Sequence, residues 1–302
     1  MWFKNLMSYR LTKSLEWDLT QLQTQLETCR FHPCGVQDQS KFGWSAPLRG
    51  SDLLYFSVGK QILLMAQKEE KILPANVVKR ELAHRIESLE EKENRKLKKN
   101  EKQTLKDDVV MNLLPRAFSK NQYTALWIDT ESGLLHVDAA SAKRAEDVLA
   151  LLRKSLGSLP VVPLAFANEP NTILTDWITQ DNLPHWLIAL EEAELRGSQE
   201  DSVIRCKKQP LENEDILALL QEGKKVVSKL ALEWEDTLTF VFNEDGSLKR
   251  LKFADSVREK NEDISKEDFT QRFDADFVLM TGILAKLTEN LLEAFGGEKV
   301  RL

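Results

Sequence analysis

The sequence predicts an α+β protein made of antiparallel sheets with flanking helices and a protruding helical arm. Two observations carry this prediction. Short segments of strand-like composition flank turn signals such as Gly59-Lys60 and Asp245-Gly246, which favour antiparallel hairpins. Between residues 74 and 120, two highly charged segments with helical spacing interrupt the strands, which indicates an arm mounted on a sheet domain.

The first part of the chain begins with a predicted strand at residues 2–11, and leucines between residues 15 and 26 then recur at helical spacing. Further strands are predicted at 51–58 and 61–66. After the arm, strands resume at 123–129 and 134–139, and a helix follows at 142–156. Because the sheet pattern continues after the arm, we predict a central domain of residues 1–73 and 121–166.

The arm is bounded by prolines. Pro74 is a good residue for the first turn of a helix, and Pro115 cannot continue one. Residues 74–120 therefore form a predicted helical pair inserted into the central domain. Residues 167–302 form a predicted C-terminal base domain, whose segments are a helix at 172–178, strands at 187–195 and 202–208, a helix at 212–221, strands at 224–234, 237–242 and 247–253, and a helix at 266–295.

Composition indicates a globular protein of the cytoplasm. The 302 residues are 42% hydrophobic, which is enough for a sizeable core. Three cysteines give no disulfide framework, and no segment has the length and apolar character of a membrane span or secretion signal. Signatures of nucleotide binding and acyl transfer are absent, so we expect no cofactor.

The charge of the chain is acidic overall but unevenly distributed. The 42 basic and 48 acidic residues give a formal charge of -6, which alone argues against nucleic acid as a ligand. Residues 95–106, however, carry six basic residues and one acid, whereas residues 259–276 carry seven acids and three basic residues. A protein contacts DNA through a patch, so this segregation makes DNA binding plausible.

Several basic groups are candidate phosphate contacts. The arm supplies Arg116 and the run of Arg95, Lys96, Lys98 and Lys99, although a solvated helix face would explain the same run. Lys143 and Lys154 are eleven residues apart on a predicted helix, hence nearly on one side. Later strands add a further set: Arg205, Lys207, Lys208, Lys249, Arg250 and Lys252.

An aromatic residue stands between cations where the arm ends. Phe118 lies between Arg116 and Lys120, just after the break at Pro115. A core position is the ordinary expectation for phenylalanine. The alternative is an exposed ring that stacks on a base or packs against a second subunit.

Two enzymatic or metal-binding hypotheses remain open. Asp52 ahead of Glu69 and Lys71 fits the carboxylates and lysine of some metal-dependent nucleases, which hold Mg²⁺ and activate water. A solvated strand end explains the same residues without chemistry. Cys29, His32 and Cys34 are close in sequence, but no metal centre is predicted because the chain lacks paired cysteine motifs.

Six motifs distributed along the chain resemble the RdgC family of bacterial recombination-associated proteins. These motifs are residues 2–6 (WFKNL), 68–74 (KEEKILP), 113–118 (LLPRAF), 149–160 (LALLRKSLGSLP), 245–253 (DGSLKRLKF) and 268–277 (DFTQRFDADF). The resemblance implies a ring closed by two crescent-shaped subunits that meet at both ends around a basic hole. It also implies non-enzymatic binding of single- and double-stranded DNA without sequence preference.

The resemblance further implies restraint of the RecA recombinase by competition for DNA, action at replication forks, and association with the nucleoid. Phe118 with Arg116 matches the contact that the family makes between arms, and Lys208-Gln209 matches a pair associated with DNA engagement. Pro210 departs from the acidic or polar residue expected after that pair. This departure affects the expected local turn and the reach of Gln209.

Overall fold

The computed structural model describes residues 2–198, 200–261, 264 and 268–299. Within these residues, twelve strands and eight α-helices form an α+β fold, so the predicted α+β class is confirmed. The strands are β1 Asn5–Leu11, β2 Ser40–Ser45, β3 Tyr55–Val58, β4 Gln61–Lys71, β5 Ser119–Asp129, β6 Leu134–Val137, β7 Val161–Pro163, β8 Leu187–Gly197, β9 Val203–Lys207, β10 Lys225–Trp234, β11 Leu238–Asn243 and β12 Leu248–Phe253. The helices are α1 Leu19–Glu27, α2 Ala75–Glu93, α3 Lys99–Leu113, α4 Ala142–Leu156, α5 Pro170–Thr179, α6 Glu214–Gln221, α7 Asp255–Arg258 and α8 Phe269–Ala294.

The strands pair antiparallel along one path, in the order β2, β4, β5, β6, β1, β12, β11, β10, β8, β9, with β3 added to β4 and β7 to β1. The two halves of the chain join where β1 pairs with β12, with Asn5 opposite Lys249 and Leu6 opposite Leu248. Strands of the predicted central and base domains therefore share one sheet path. The domain boundaries themselves stay a prediction.

Helices cover the sheet on different sides. Met7 and Tyr9 of β1 pack in a core with α1 and α4, whereas Phe3 and Leu6 pack in a core that includes α8. Leu6 and Met7 are successive residues of β1, so their side chains leave the strand in opposite directions, whereas Phe3 precedes the strand.

Helix α8 packs on strands from both halves of the chain. The ring of Phe273 lies 5.0 Å from that of Phe56 in β3, measured between ring centroids. Phe295, directly after α8, stacks on Phe242 of β11 at 4.8 Å. Since buried aromatic pairs contribute beyond their buried area, α8 helps to fix the two halves together.

The arm lies between β4 and β5, as predicted. Its helices α2 and α3 are joined by a turn in which Asn94 adopts a left-handed conformation, and a 3-10 turn at Leu114–Arg116 leads into β5. The paired ends of β4 and β5, Lys71 opposite Ser119, form the base from which the arm projects.

The structure corrects several predicted boundaries. Strand β2 was not predicted, because its sequence has no clear alternation of apolar and polar residues. It forms by pairing with β4, which lies later in the chain. Residues 51–54 were predicted to belong to a strand but precede β3, since the Leu54 amide donates to the side chain of Gln23. The predicted last helix begins at Lys266, which lies outside the described residues, and α8 begins at Phe269.

Lys208 is not a strand residue, contrary to prediction. It adopts a positive φ of 54°, and its amide donates to the Glu191 carbonyl at 2.8 Å. This left-handed conformation ends the pairing of β9. Within the described residues, no helix has the length and apolar character required to cross a membrane.

Candidate nucleic-acid interface

A cluster of charged side chains lies on the face of the C-terminal strands that turns away from α8. In β12, Leu248 and Leu251 enter the core, while Lys249 and Arg250 lie between them on the other side. Arg250 has a positive φ of 55°, at a point where the register between β11 and β12 is irregular. This irregularity lets two successive basic residues avoid the core.

Five cations and two carboxylates line a cavity of about 260 Å³ on this face. We call them the sheet-face cluster: Arg205, Lys207, Lys229, Lys249 and Arg250 with Glu192 and Glu194. Strand register creates the cluster, since Glu192 is opposite Lys207 and Glu194 is opposite both Arg205 and Lys229. The cations outnumber the carboxylates, so the cavity is a positively charged surface in an acidic protein.

Ion pairs hold most of these cations in place. Glu194 accepts from Lys229 at 2.7 Å and from Arg205 at 2.9 Å. The hydrogen bond from Lys229 contributes most to lowering the pKa of Glu194. Glu192 pairs with Arg250 at 2.9 Å and Lys207 at 3.9 Å. Each carboxylate therefore orders two cations while neutralising the charge of only one.

Lys249 differs from the other cations of the cluster. Among the residues that the structure describes, no acidic group lies within ion-pair distance of Lys249. Sequence reasoning selected Lys249 but missed Lys229. Lys229 could have been selected only from its position opposite Glu194, and this position becomes evident only when β8 and β10 are paired in register.

Lys208 and Gln209 are exposed and follow Lys207 directly. The left-handed conformation at Lys208 turns the chain away from β9 toward Pro210. The predicted pair therefore follows a member of the sheet-face cluster in the chain but does not line its cavity. Their contact with DNA stays a prediction.

The arm cations lie in a different electrostatic setting. Lys96 pairs with Glu90 at 2.7 Å, and the backbone amide of Leu97 donates to the same carboxylate at 3.0 Å. Lys102 approaches Glu90 to 3.3 Å. The hydrogen bond from Lys96 contributes most to lowering the pKa of Glu90 to about 2.

Arg95 is likewise paired, with Glu101 at 2.6 Å and Glu93 at 2.7 Å. Residues 87–108 contain seven cations and seven acids, so this stretch around the turn has no net formal charge. In the described residues, Lys98 and Lys99 have no ion-pair partner. The predicted positive segment is therefore partly a network that shapes the turn between α2 and α3.

Phe118 is exposed, which decides between the two readings of this residue. Its side chain is 85% exposed, and Arg116 is also on the surface. The Phe118 carbonyl accepts from the amide of Ile72 at 2.7 Å, which fixes the backbone beside another exposed apolar residue. The expectation of a core position is wrong, and an aromatic side chain is available for contact at the base of the arm.

Lys143 and Lys154 lie on the exposed side of α4. Lys154 lines a groove together with Phe42 and Lys68. Lys143 lies three turns earlier along the same side of the helix, as its spacing predicts.

The residues of the nuclease hypothesis have separate partners. The backbone carbonyl of Asp52 accepts from Arg30 at 2.9 Å, whereas the carboxylate of Glu69 accepts from the Cys34 amide at 2.7 Å. A hydrogen bond from Ser119 contributes most to lowering the pKa of Glu69. Among the described residues, no three His, Cys, Asp or Glu side chains form a group that could hold a metal ion.

Comparison with known proteins identifies the family. Residues 1–298 match the family model described as "Putative exonuclease, RdgC". The chain belongs to the RdgC family. The resemblance predicted from the sequence motifs is thereby confirmed.

Relatives in the RdgC family match over the full chain. The recombination-associated protein RdgC of Haemophilus influenzae strain PittGG is 88% identical over 302 residues, covering 100% of both chains. The proteins of the same name from Pasteurella multocida and Mannheimia succiniciproducens are 70% identical over 302 residues and 69% identical over 301 residues. These matches cover 100% of this chain and 100% and 99% of the relatives.

Proposed function

We propose that this RdgC-family protein is a DNA-binding protein of recombination, which binds single- and double-stranded DNA without sequence preference. The sheet-face cluster is the observation that carries the proposal, because it collects five cations around two carboxylates. Lysine and arginine clusters bind phosphates by releasing counterions and need no contact with base edges. The name of the relatives, recombination-associated protein, supports the same role.

The proposed assembly is a ring-shaped homodimer of crescent-shaped subunits around DNA. Phe118 and Arg116 are the proposed contact between arms, supported by the exposure of both side chains. A dimer that occupies DNA restrains RecA by competition at replication forks and in the nucleoid. Excess unrelated DNA should then relieve inhibition of RecA strand exchange, whereas persistent inhibition would indicate direct contact with RecA.

Salt dependence tests the DNA-binding proposal. Lys208 and Lys249 are suited to this test, because neither has an ion-pair partner among the described residues. The Lys208→Gln/Lys249→Gln variant should bind all DNA sequences more weakly and equally so. If both lysines contact phosphates, the slope of log K against log[salt] should become shallower by about 2.

A matched control changes the same charge elsewhere. Lys60 lies in the turn between β3 and β4, and Lys286 lies on α8, where it pairs with Glu289. Lys60→Gln/Lys286→Gln should leave affinity and salt slope unchanged. Equal slopes for the two double variants would show that the Lys208 and Lys249 surface does not contact DNA.

A metal-dependent nuclease using Asp52, Glu69 and Lys71 is the second candidate, supported by the word exonuclease in the family description. Lys71 is two residues from Glu69 on β4 and contributes to lowering the pKa of that carboxyl. Incubation of plasmid DNA with Mg²⁺ distinguishes the candidates. Cleavage that is lost in Glu69→Ala would support the nuclease, and intact plasmid with undiminished binding would support the non-enzymatic proposal.

A further inference from the structure

A groove between α4 and the outer strands combines an exposed aromatic ring with two lysines. Its volume is about 420 Å³, which lies in the range of roughly 300–1,000 Å³ typical of ligand sites. We call it the α4 groove, and it is lined by Phe42, Lys68, Asp147, Ala150, Leu151 and Lys154.

Strand pairing fixes the first side of the α4 groove. Phe42 of β2 is directly opposite Lys68 of β4, so the two side chains leave the sheet on the same face. Trp44, two residues later on that face, is buried and donates from Nε1 to Ser155 Oγ at 2.9 Å. This buried hydrogen bond holds α4 over β2 and leaves Phe42, which is 37% exposed, beside the helix.

Charge is arranged along the α4 groove. Within the described part of the chain, neither Lys68 nor Lys154 has an acidic partner within ion-pair distance. Asp147 precedes Lys154 by seven residues, which separates them by about 10 Å along the helix axis. The groove therefore offers ammonium groups for a phosphate and, about two turns away, a carboxylate that accepts hydrogen bonds.

We infer that the α4 groove binds an unpaired nucleotide of single-stranded DNA, with the base stacked on Phe42 and the phosphate held by Lys68 and Lys154. Asp147 accepts a hydrogen bond from a donor on the base edge. In a duplex, the base faces are stacked on each other and are closed to the ring of Phe42. This inference rests on the proposed DNA binding and assigns its single-strand component to a specific place.

The test compares single-stranded and duplex DNA in the same buffer. Phe42→Leu keeps an apolar side chain and removes the ring, so it should weaken binding of a short thymidine oligonucleotide by roughly five- to tenfold. Duplex binding should stay unchanged. Tyr123→Leu is the matched control. Tyr123 is an aromatic residue on the adjacent β5 and is 54% exposed, but its side chain leaves the sheet on the face opposite to that of the buried Thr124.

A second readout reports stacking directly. A single-stranded oligonucleotide that contains 2-aminopurine should change its fluorescence on binding to the original protein and to Tyr123→Leu, and the change should be absent or much smaller with Phe42→Leu. Lys68→Gln/Lys154→Gln should weaken binding of the same oligonucleotide and make its salt dependence shallower. Thermal unfolding of each variant identifies any loss of fold.

The outcomes separate the inference from the proposed function. If the original protein binds neither form of DNA, the proposed function fails. If it binds both forms and Phe42→Leu binds them as well as the original protein does, the inference is overturned and the proposed function stands. Equal weakening for single strands and duplex in a folded Phe42→Leu variant would also overturn the assignment to unpaired bases.

Discussion

Replacement of Phe118 by serine should weaken dimer formation and leave the fold of the subunit nearly unchanged. The side chain is 85% exposed, so only about one seventh of it is covered by its own subunit. Full burial of a phenylalanine stabilises a protein by about 1.5–3 kcal/mol, so Phe118→Ser should cost the isolated subunit no more than ~0.5 kcal/mol. If a partner subunit covers the rest, each copy loses at least about 1.3 kcal/mol of association energy, so a dimer with the change in both copies loses about 2.6 kcal/mol, which is roughly 80-fold in the dissociation constant.

Sedimentation velocity over a dilution series measures this effect. Thermal unfolding should be compared at a concentration where both proteins are monomeric, because dimer formation itself raises the melting temperature. Phe269→Ser, at the start of α8 with 52% exposure, is the matched control and should leave the dimer intact. Equal dimer dissociation constants for the original protein and Phe118→Ser would refute the proposed contact.

Three further predictions concern buried or paired groups. Burial contributes most to lowering the pKa of His136 to about 3. Between about pH 6.5 and pH 3, this imidazole is therefore protonated in the unfolded state but neutral in the folded state. Stability should therefore fall as the pH drops through this range, and urea unfolding of His136→Phe should show a weaker pH dependence. Ser155→Ala leaves the buried Trp44 Nε1 without its acceptor and should cost about 1–3 kcal/mol in urea unfolding. The Glu90 carboxylate accepts hydrogen bonds from both Lys96 and the amide of Leu97. Glu90→Gln removes its negative charge and should weaken both contacts, so amide hydrogen exchange at Leu97 should become faster.

Local chemistry made the hairpins and the arm predictable. Gly59 and Gly246 both adopt positive φ values in tight turns, as their sequence context indicates. Pro74 directly precedes α2 and Pro115 lies in the 3-10 turn after α3, so the start of the first arm helix and the end of the second were visible in the sequence.

Long-range pairing explains what the sequence did not reveal. Strand β4 was expected to end at Ala66 but continues to Lys71, because β2 and β5 pair with its charged end. The charges of Glu69 and Glu70 obscure this strand in a reading based on alternation. Likewise, nothing local indicates that β1 pairs with β12, which is the contact that makes the sheet path continuous.

The candidate interface shows the same limit. Basic residues are evident in any sequence, but their availability depends on which acids face them after folding. Arg95 and Lys96 were the strongest local signal, yet both are paired with glutamates in the arm turn. Lys249 was one member of a weaker group and has no such partner among the described residues.

Ion pairing reduces the extent to which the acidic net charge opposes DNA binding. Glu192 and Glu194 lie within the sheet-face cluster, where each orders two cations and cancels only one of them. An ordered cation loses less conformational entropy when a phosphate binds, so these carboxylates can favour positioning while reducing the total charge. Exposed charges more than about 10 Å away are largely screened at moderate ionic strength. The acids elsewhere on the surface therefore oppose phosphate binding much less than the net charge of -6 would indicate.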